Sequence, residues 1–202
     1  MKRFAFTMLE LVFVIIVIGI LAVLAMPNFN RNSLGEAAEQ VANHIRYTQH
    51  LAMVNDVYNP TLSDWHDARP QISFRTCNSG GNYYYVGSDS NYNGGHIAED
   101  ESAVDPLNST SLYWVNTQCN PTAYPNRNKN LLLKDTYGIT NVASSCGATI
   151  SFDSMGRPYD TFSTVNSYSG QLQNPCVITL THLDGTATIT IEPETGYVSV
   201  TY

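Results

Sequence analysis

The stretch FTMLELVFVIIVIGILAVLAMP, Phe6 to Pro27, decides how the rest of this chain is read. A short basic leader, Met1-Lys2-Arg3-Phe4-Ala5, precedes it, one carboxylate, Glu10, sits near its start, and a proline closes it. From Leu11 to Met26 no residue is charged or strongly polar. That run predicts roughly 24 Å of helix at about 1.5 Å per residue. With Phe6 to Leu9 added, it is expected to reach across a hydrocarbon core of about 30 Å. Three readings compete. A secretory signal peptide has a basic start, an apolar core and a small-residue cleavage site, but here proline follows Ala25-Met26 directly. A plain membrane anchor has no use for Glu10, because an ionisable group inside a membrane is costly and normally has a partner. An assembly helix supplies that partner. A cut between Ala5 and Phe6 creates an α-amino cation on Phe6, and Glu10 of one subunit can meet the amine of the next. The value of such a buried pair lies more in setting register than in net stability.

These residues resemble the class III signal and N-terminal helix of type IV pilins and type II secretion pseudopilins. Phe6, Thr7, Leu9, Glu10 and Leu11 match, as do the apolar run after them and Pro27. The departure is Ala5, where most members carry glycine; alanine is still small. The resemblance implies that a prepilin peptidase removes leader 1–5 and methylates Phe6. It further implies that 6–27 is first a transmembrane helix and later a subunit contact. The chain would then be a single-pass protein of the bacterial inner membrane with a periplasmic domain, and a filament component after assembly.

Composition narrows the classes. The 202 residues carry a formal net charge of −7, with ten Lys and Arg in all, two of them in the leader. An acidic chain without a basic cluster argues against nucleic acid as partner. Only 13% of residues are charged, and Asn, Ser, Thr, Tyr and Gly take their place, which suits an extracytoplasmic β-rich domain. Cys77, Cys119, Cys146 and Cys176 form no CxxC pair, so zinc and thioredoxin-like readings are weak. In an oxidising compartment disulfides are the default. Of the three connectivities, the sequence-local one, Cys77 with Cys119 and Cys146 with Cys176, is favoured.

Residues 28–57 are expected to form an amphipathic helix. Ser33-Leu34-Gly35-Glu36 has capping-box spacing, so the helix either starts there or continues from the first with a kink. Leu34, Ala37 or Ala38, Val41, Ile45, Thr48 and Ala52 make the apolar stripe. Residues 58–202 then read as a β-rich globular domain. Strands are expected at Gln71–Thr76, Tyr83–Gly87, Ser111–Asn116, Ala148–Asp153, Cys176–Leu183, Thr186–Glu192 and Tyr197–Tyr202. Asp184-Gly185 reads as a type I′ hairpin turn. The expected fold is α+β and pilin-like: a long N-terminal helix, transmembrane half plus amphipathic half, packed on an antiparallel sheet. Residues 150–158 and 189–198 resemble the strand-turn segments of GspH/FimT-type minor pseudopilins, and residues 39–57 resemble their amphipathic helix.

Little in the chain suggests reaction chemistry. There is no HExxH, GxSxG, GxGxxG or P-loop, and an enzyme is not expected. Asp89-Ser90-Asn91-Tyr92-Asn93-Gly94 matches the start of an oxygen-ligand calcium loop. Asp89, Asn91 and Asn93 would offer side-chain oxygens, with Asp100 at the twelfth position and Glu99 and Glu101 as adjacent alternatives. Its plainer reading is a solvated Asn/Gly-rich loop. Among the histidines, His66 lies between acids on what reads as an exposed turn. Tyr83, Tyr84 and Tyr85 lie in a row, so at least one faces each side of a strand; an exposed one would suit protein or glycan contact, though sheet-surface tyrosines are also common without any ligand. The function that the N-terminal resemblance implies is a structural subunit, minor pseudopilin or pilin, of a type IV filament system. Its partners would be other such subunits, the prepilin peptidase and the inner membrane. A pilin-type adhesin, with loops 87–106 and 116–130 as binding surfaces, is the alternative; a DNA-uptake pilin is disfavoured by the low basic content.

Overall fold

The structure is a computed structural model that describes residues 7–25, 32–92, 97–114, 118–160 and 169–202. It divides into two compact units, Met1–Asn32 and Ser33–Tyr202.

The first unit contributes one helix, α1, Met8–Ala25. Thr7 starts it: its carbonyl accepts from the amides of Glu10 (3.1 Å) and Leu11 (3.2 Å), and its Oγ1 also receives the Glu10 amide at 3.3 Å. Glu10 in the first turn complements the positive end of the helix dipole. The remaining side chains are apolar all round, because the sequence places no polar residue between Leu11 and Ala25.

The second unit begins with α2, Ser33–Val54, of 22 residues. The expected stripe is the buried face: Leu34, Ala37, Ala38, Val41, Ala42, Ile45, Thr48 and Ala52 are all buried. Small residues dominate it, so the helix axis can lie close to the strands beneath. Those strands form two four-stranded antiparallel sheets. The first has the order β2-β1-β4-β5, built from β1 Gln71–Thr76, β2 Asn82–Gly87, β4 Thr149–Phe152 and β5 Pro158–Tyr159. The second has the order β3-β6-β7-β8, from β3 Asn141–Ser144, β6 Cys176–His182, β7 Gly185–Ile191 and β8 Val198–Thr201. A short helix, α3 Leu133–Tyr137, precedes β3.

One core fills the space under α2. Ile72, Phe74, Val86, Ile150 and Phe152 come from the first sheet, and Ile178, Leu180, Ala187, Ile189, Ile191 and Val198 from the second. The alternation in β6 and β7 explains why one face is buried: Ile178, Leu180, Ile189 and Ile191 point inward while Val177 is exposed and Thr179 and Thr190 are partly exposed. Gln49 of α2 clamps two turns at once, donating from Nε2 to the carbonyls of Gly156 (2.8 Å) and Thr195 (3.0 Å).

A second, smaller cluster lies on the other face of β2. Tyr83 and Tyr85 join Cys77, Ile97, Trp114 and Leu132 there, whereas Tyr84 enters the main core. The row splits between the two faces as expected, but all three tyrosines are buried, so none offers exposed surface for a contact. The strand period sends consecutive tyrosines to opposite faces, and each face has its own cover. Gly87 at the end of β2 permits that cover to approach. A Cβ there would lie 2.5 Å from the Glu101 carbonyl and 2.9 Å from Ser102 Cα.

Several expectations are corrected. The long N-terminal helix is not seen: the described residues give two helices of 18 and 22 residues, and residues 26–31 lie outside the description. Ser33 and Glu36, at capping-box spacing, begin a helix in their own right. No helix among the described residues is long and apolar enough to cross a membrane. The 18 residues of α1 rise about 27 Å, short of a core of about 30 Å. The single-pass inner-membrane location, which needed such a span, is corrected with it. Ser111–Trp114 is no strand; Leu112 instead donates its amide to Ala103 O (2.7 Å) and accepts from Val86 N (2.9 Å), which pins it at the edge of β2. In the β6–β7 hairpin His182 pairs with Gly185, so Leu183 and Asp184 are the turn residues. Neither has a positive φ, which excludes type I′; Gly185, at φ 149°, takes the unusual angle instead. His66 is buried in a 3-10 turn, Trp65–Ala68, and is not on an exposed surface.

Candidate functional site

α1 is the first candidate, because its large apolar side chains from Met8 to Leu21 are exposed. Leu9 is 83% exposed, Phe13 68% and Ile18 59%. They point in different directions around the helix axis, and α1 has no polar face. The contrast with α2 is direct: α2 alternates a buried stripe with Glu39, Asn43 and Arg46, and needs cover on one side only. Glu10 is exposed near the start of α1. Ala5 and Phe6, the residues expected to be cut and methylated, and Pro27 lie outside the described residues.

The Asp89 loop is closed by a protein group. Glu101 Oε1 accepts from Ser90 Oγ (3.2 Å) and from the Asn91 amide (3.0 Å), and Glu101 Oε2 accepts from the Ala98 amide (3.0 Å). Asp89 is buried, Asn91 and Asp100 are exposed, and Asn93 lies outside the described residues. The carboxylate that organises the loop is therefore Glu101, not Asp100. Among the described residues no three His, Cys, Asp or Glu side chains are placed to hold a metal ion.

The four cysteines form two disulfides in the sequence-local pairing, Cys77–Cys119 and Cys146–Cys176. The first ties β1's end to the second cluster. The second ties the start of β6 to the segment after β3 within the main core.

One buried polar group was not expected. His44 lies three residues after Val41 and four before Thr48, on the α2 stripe itself, which is the signal that could have found it. Its Nδ1 is 2.8 Å from Tyr84 Oη, and its Nε2 is 3.8 Å from Asp105. Gln40 joins the network, donating to Tyr84 Oη at 3.2 Å and accepting from Tyr137 Oη. Asn128 donates to Asp105 at 3.4 Å. Burial lowers the His44 pKa below its ordinary 6.5, against the opposing pull of Asp105, and burial raises the Tyr84 phenol. The network is a hydrogen-bonded polar insert in an apolar core.

A pH dependence follows. Unfolded, His44 takes up a proton as pH falls through about 6.5; folded, it resists. The stability it contributes is thus present above pH 6.5 and is lost as pH falls from there through the lowered folded value. Thermal melting between pH 8 and 5 should show this loss, and His44→Gln should flatten it. A His44→Gln profile as steep as the parent's would remove His44 as the cause.

No family model, curated protein or solved structure matches the chain, so function is argued from these residues and their geometry.

Proposed function

We propose that this chain is a structural subunit of a type IV filament system, a pilin or minor pseudopilin, which assembles through α1. The observation that carries this reading is the exposure of α1 from Met8 to Ala22, where Glu10 is the one residue that is not apolar. A helix of that kind is covered fully only when neighbours surround it, and a bundle of copies or relatives provides such cover. Scattered exposed apolar residues need no explanation, but a continuous apolar surface of this extent marks an interaction site.

Glu10 fits the same reading. Inside a bundle its carboxylate requires a partner. Cleavage after Ala5 by a prepilin peptidase would place an amine on Phe6, and Phe6 of the neighbouring subunit would meet Glu10. The pair fixes the axial register of one helix on the next. The two disulfides add a body that holds its shape outside a reducing compartment.

Glu10→Ala tests the pairing. The leader should still be removed, because the carboxylate is not at the cut. Recovery of the chain in sheared filaments should fall at least about tenfold, the consequence of losing about 1.4 kcal/mol or more per contact. Parental incorporation of Glu10→Ala would sink the register role.

A further inference from the structure

The globular unit has a concavity of about 280 Å³ that the filament reading does not use. Tyr58 and Trp65 wall it, with ring centroids 5.1 Å apart and planes at 78°. Two rings at nearly a right angle make a corner, not a stack. Tyr58 is 57% exposed, and the Asp56 carboxylate fixes its backbone by accepting the Tyr58 amide at 3.0 Å. Arg69 closes the floor. It is 2% exposed, with its guanidinium 4.0 Å over the Tyr159 ring and 5.2 Å from the Trp65 centroid.

The polar wall is equally fixed. Arg157 Nε donates to Asp153 Oδ2 at 2.7 Å, and its second nitrogen, Nη2, pairs with the same carboxylate at 2.7 Å. Asp153 also accepts from Tyr159 Oη (3.1 Å) and from the amides of Met155 (3.0 Å) and Arg157 (2.9 Å). So Asp153 is committed to the protein, and its role is to hold Arg157 and Tyr159 in place. Arg157 is a rigid planar donor on the cavity wall.

The chemistry of the lining selects a ligand class. Arg69 and Arg157 are balanced by Asp56 and Asp153, so the cavity has no net charge to favour an anion or a cation. What remains is an apolar aromatic corner beside fixed planar hydrogen-bonding groups, the mixture from which specific small-molecule sites are built. A pyranose ring presents both complements, a C–H face for an aromatic plane and equatorial hydroxyls for planar donors and acceptors. A second cavity, of about 400 Å³, shares Asp56, Val57 and Tyr58 and adds Asn55, Asn59, Ser88 and Ser90. The Ser88 and Ser90 hydroxyls donate to Ala68 O (2.7 Å) and Glu101 Oε1 (3.2 Å), so they offer their oxygens as acceptors, and the Asn55 and Asn59 amides add donors for further sugar hydroxyls.

We propose that this face binds a neutral saccharide, one ring seated in the Tyr58–Trp65 corner and the chain continuing across residues 56–58 into the second cavity. The site lies wholly in the globular unit and stands whether or not α1 assembles.

Trp65 reports on the site, because the only other tryptophan, Trp114, is buried elsewhere. The full-length chain is kept in a polyoxyethylene detergent, whose headgroup carries no sugar, and its emission is followed during titration. The probes are glucose, galactose, N-acetylglucosamine, maltotriose and triacetylchitotriose, with sodium acetate and sodium sulfate as anion arms. At least one sugar should give a saturable change, and its trisaccharide should bind about fivefold tighter or better. Tyr58→Ala should weaken binding about tenfold with the parental melting temperature kept, since Tyr58 is mostly exposed. No saturable response to any sugar, a response to the anions alone, or a response that Tyr58→Ala leaves unchanged would overturn the site. Equal affinity for mono- and trisaccharide would overturn its extension past Tyr58.

Discussion

Reducing both disulfides should bring the globular unit to the edge of unfolding. Cys77–Cys119 closes a separation of 42 residues and Cys146–Cys176 one of 30. The chain-entropy model gives each loop about 3.5–4 kcal/mol. The two loops do not overlap in sequence, so their contributions add to about 7 kcal/mol. Total stabilities of domains are typically about 5–15 kcal/mol, and the loss is therefore a large part of the whole. Denaturant unfolding with and without reductant should show a loss of unfolding free energy of that size, read from the shift in midpoint. The single variants Cys77→Ser and Cys146→Ser should each give about half. A midpoint indifferent to reductant would mean that the apolar core alone holds the unit together.

Trp114→Ala should cost about 3–5 kcal/mol, the range for removing a large aromatic from a packed core. Trp114 is 1% exposed and sits edge-on to Tyr124 in the cluster behind β2. Its Nε1 donates to the Gln118 carbonyl at 2.6 Å, so truncation also orphans that acceptor. The region around it has little regular structure. It is held by short connections such as Ser88 N to Glu101 O (3.1 Å) and Ala103 N to Val86 O (2.9 Å). Loss of Trp114 should therefore loosen residues 97–114 and 118–132 together. Hydrogen exchange should show lower protection there than in β6 and β7, where the ladder is continuous. A uniform loss across both regions would mean that the cluster is not a separate cooperative unit.

The parts of the fold that were legible in the sequence are those with long periods. The stripe from Leu34 to Ala52 gave the buried face of α2, and the alternation through Cys176 to Thr201 gave β6, β7 and β8. Short elements carried too little pattern. β3 reads Asn-Val-Ala-Ser and β5 is Pro158 and Tyr159 alone, so neither announces itself. The division into two sheets depends on β3 pairing with β6 across a long separation, which no local pattern encodes. Burial of His66 and of the tyrosine row was hidden for the same reason: their cover comes from chain far away in sequence. The hairpin turn lies one residue earlier than Asp-Gly suggests, because Gly185 closes the ladder opposite His182. The N-terminal helix shows a different failure. The apolar run extends over Phe6 to Pro27, yet α1 is Met8–Ala25, because an apolar pattern does not mark where a helix begins and ends.

For the candidate sites, residue type was legible and arrangement was not. The cysteine pairing followed from sequence proximity. The Asp89 loop matched a ligand pattern, yet Glu101 reaches it through three hydrogen bonds that the pattern does not contain. The Tyr58–Trp65 corner joins residues seven apart to Asp153 and Arg157, nearly a hundred positions later, and no motif spans that distance.

The central claim is that α1 is an assembly helix freed by cleavage after Ala5. Its most direct test is mass spectrometry of the N-terminal peptide of the chain recovered from the cells that make it. The account predicts a chain that begins at Phe6 and carries one added methyl group on its α-amine. A chain that keeps Met1, or one cut at any other bond, would contradict it.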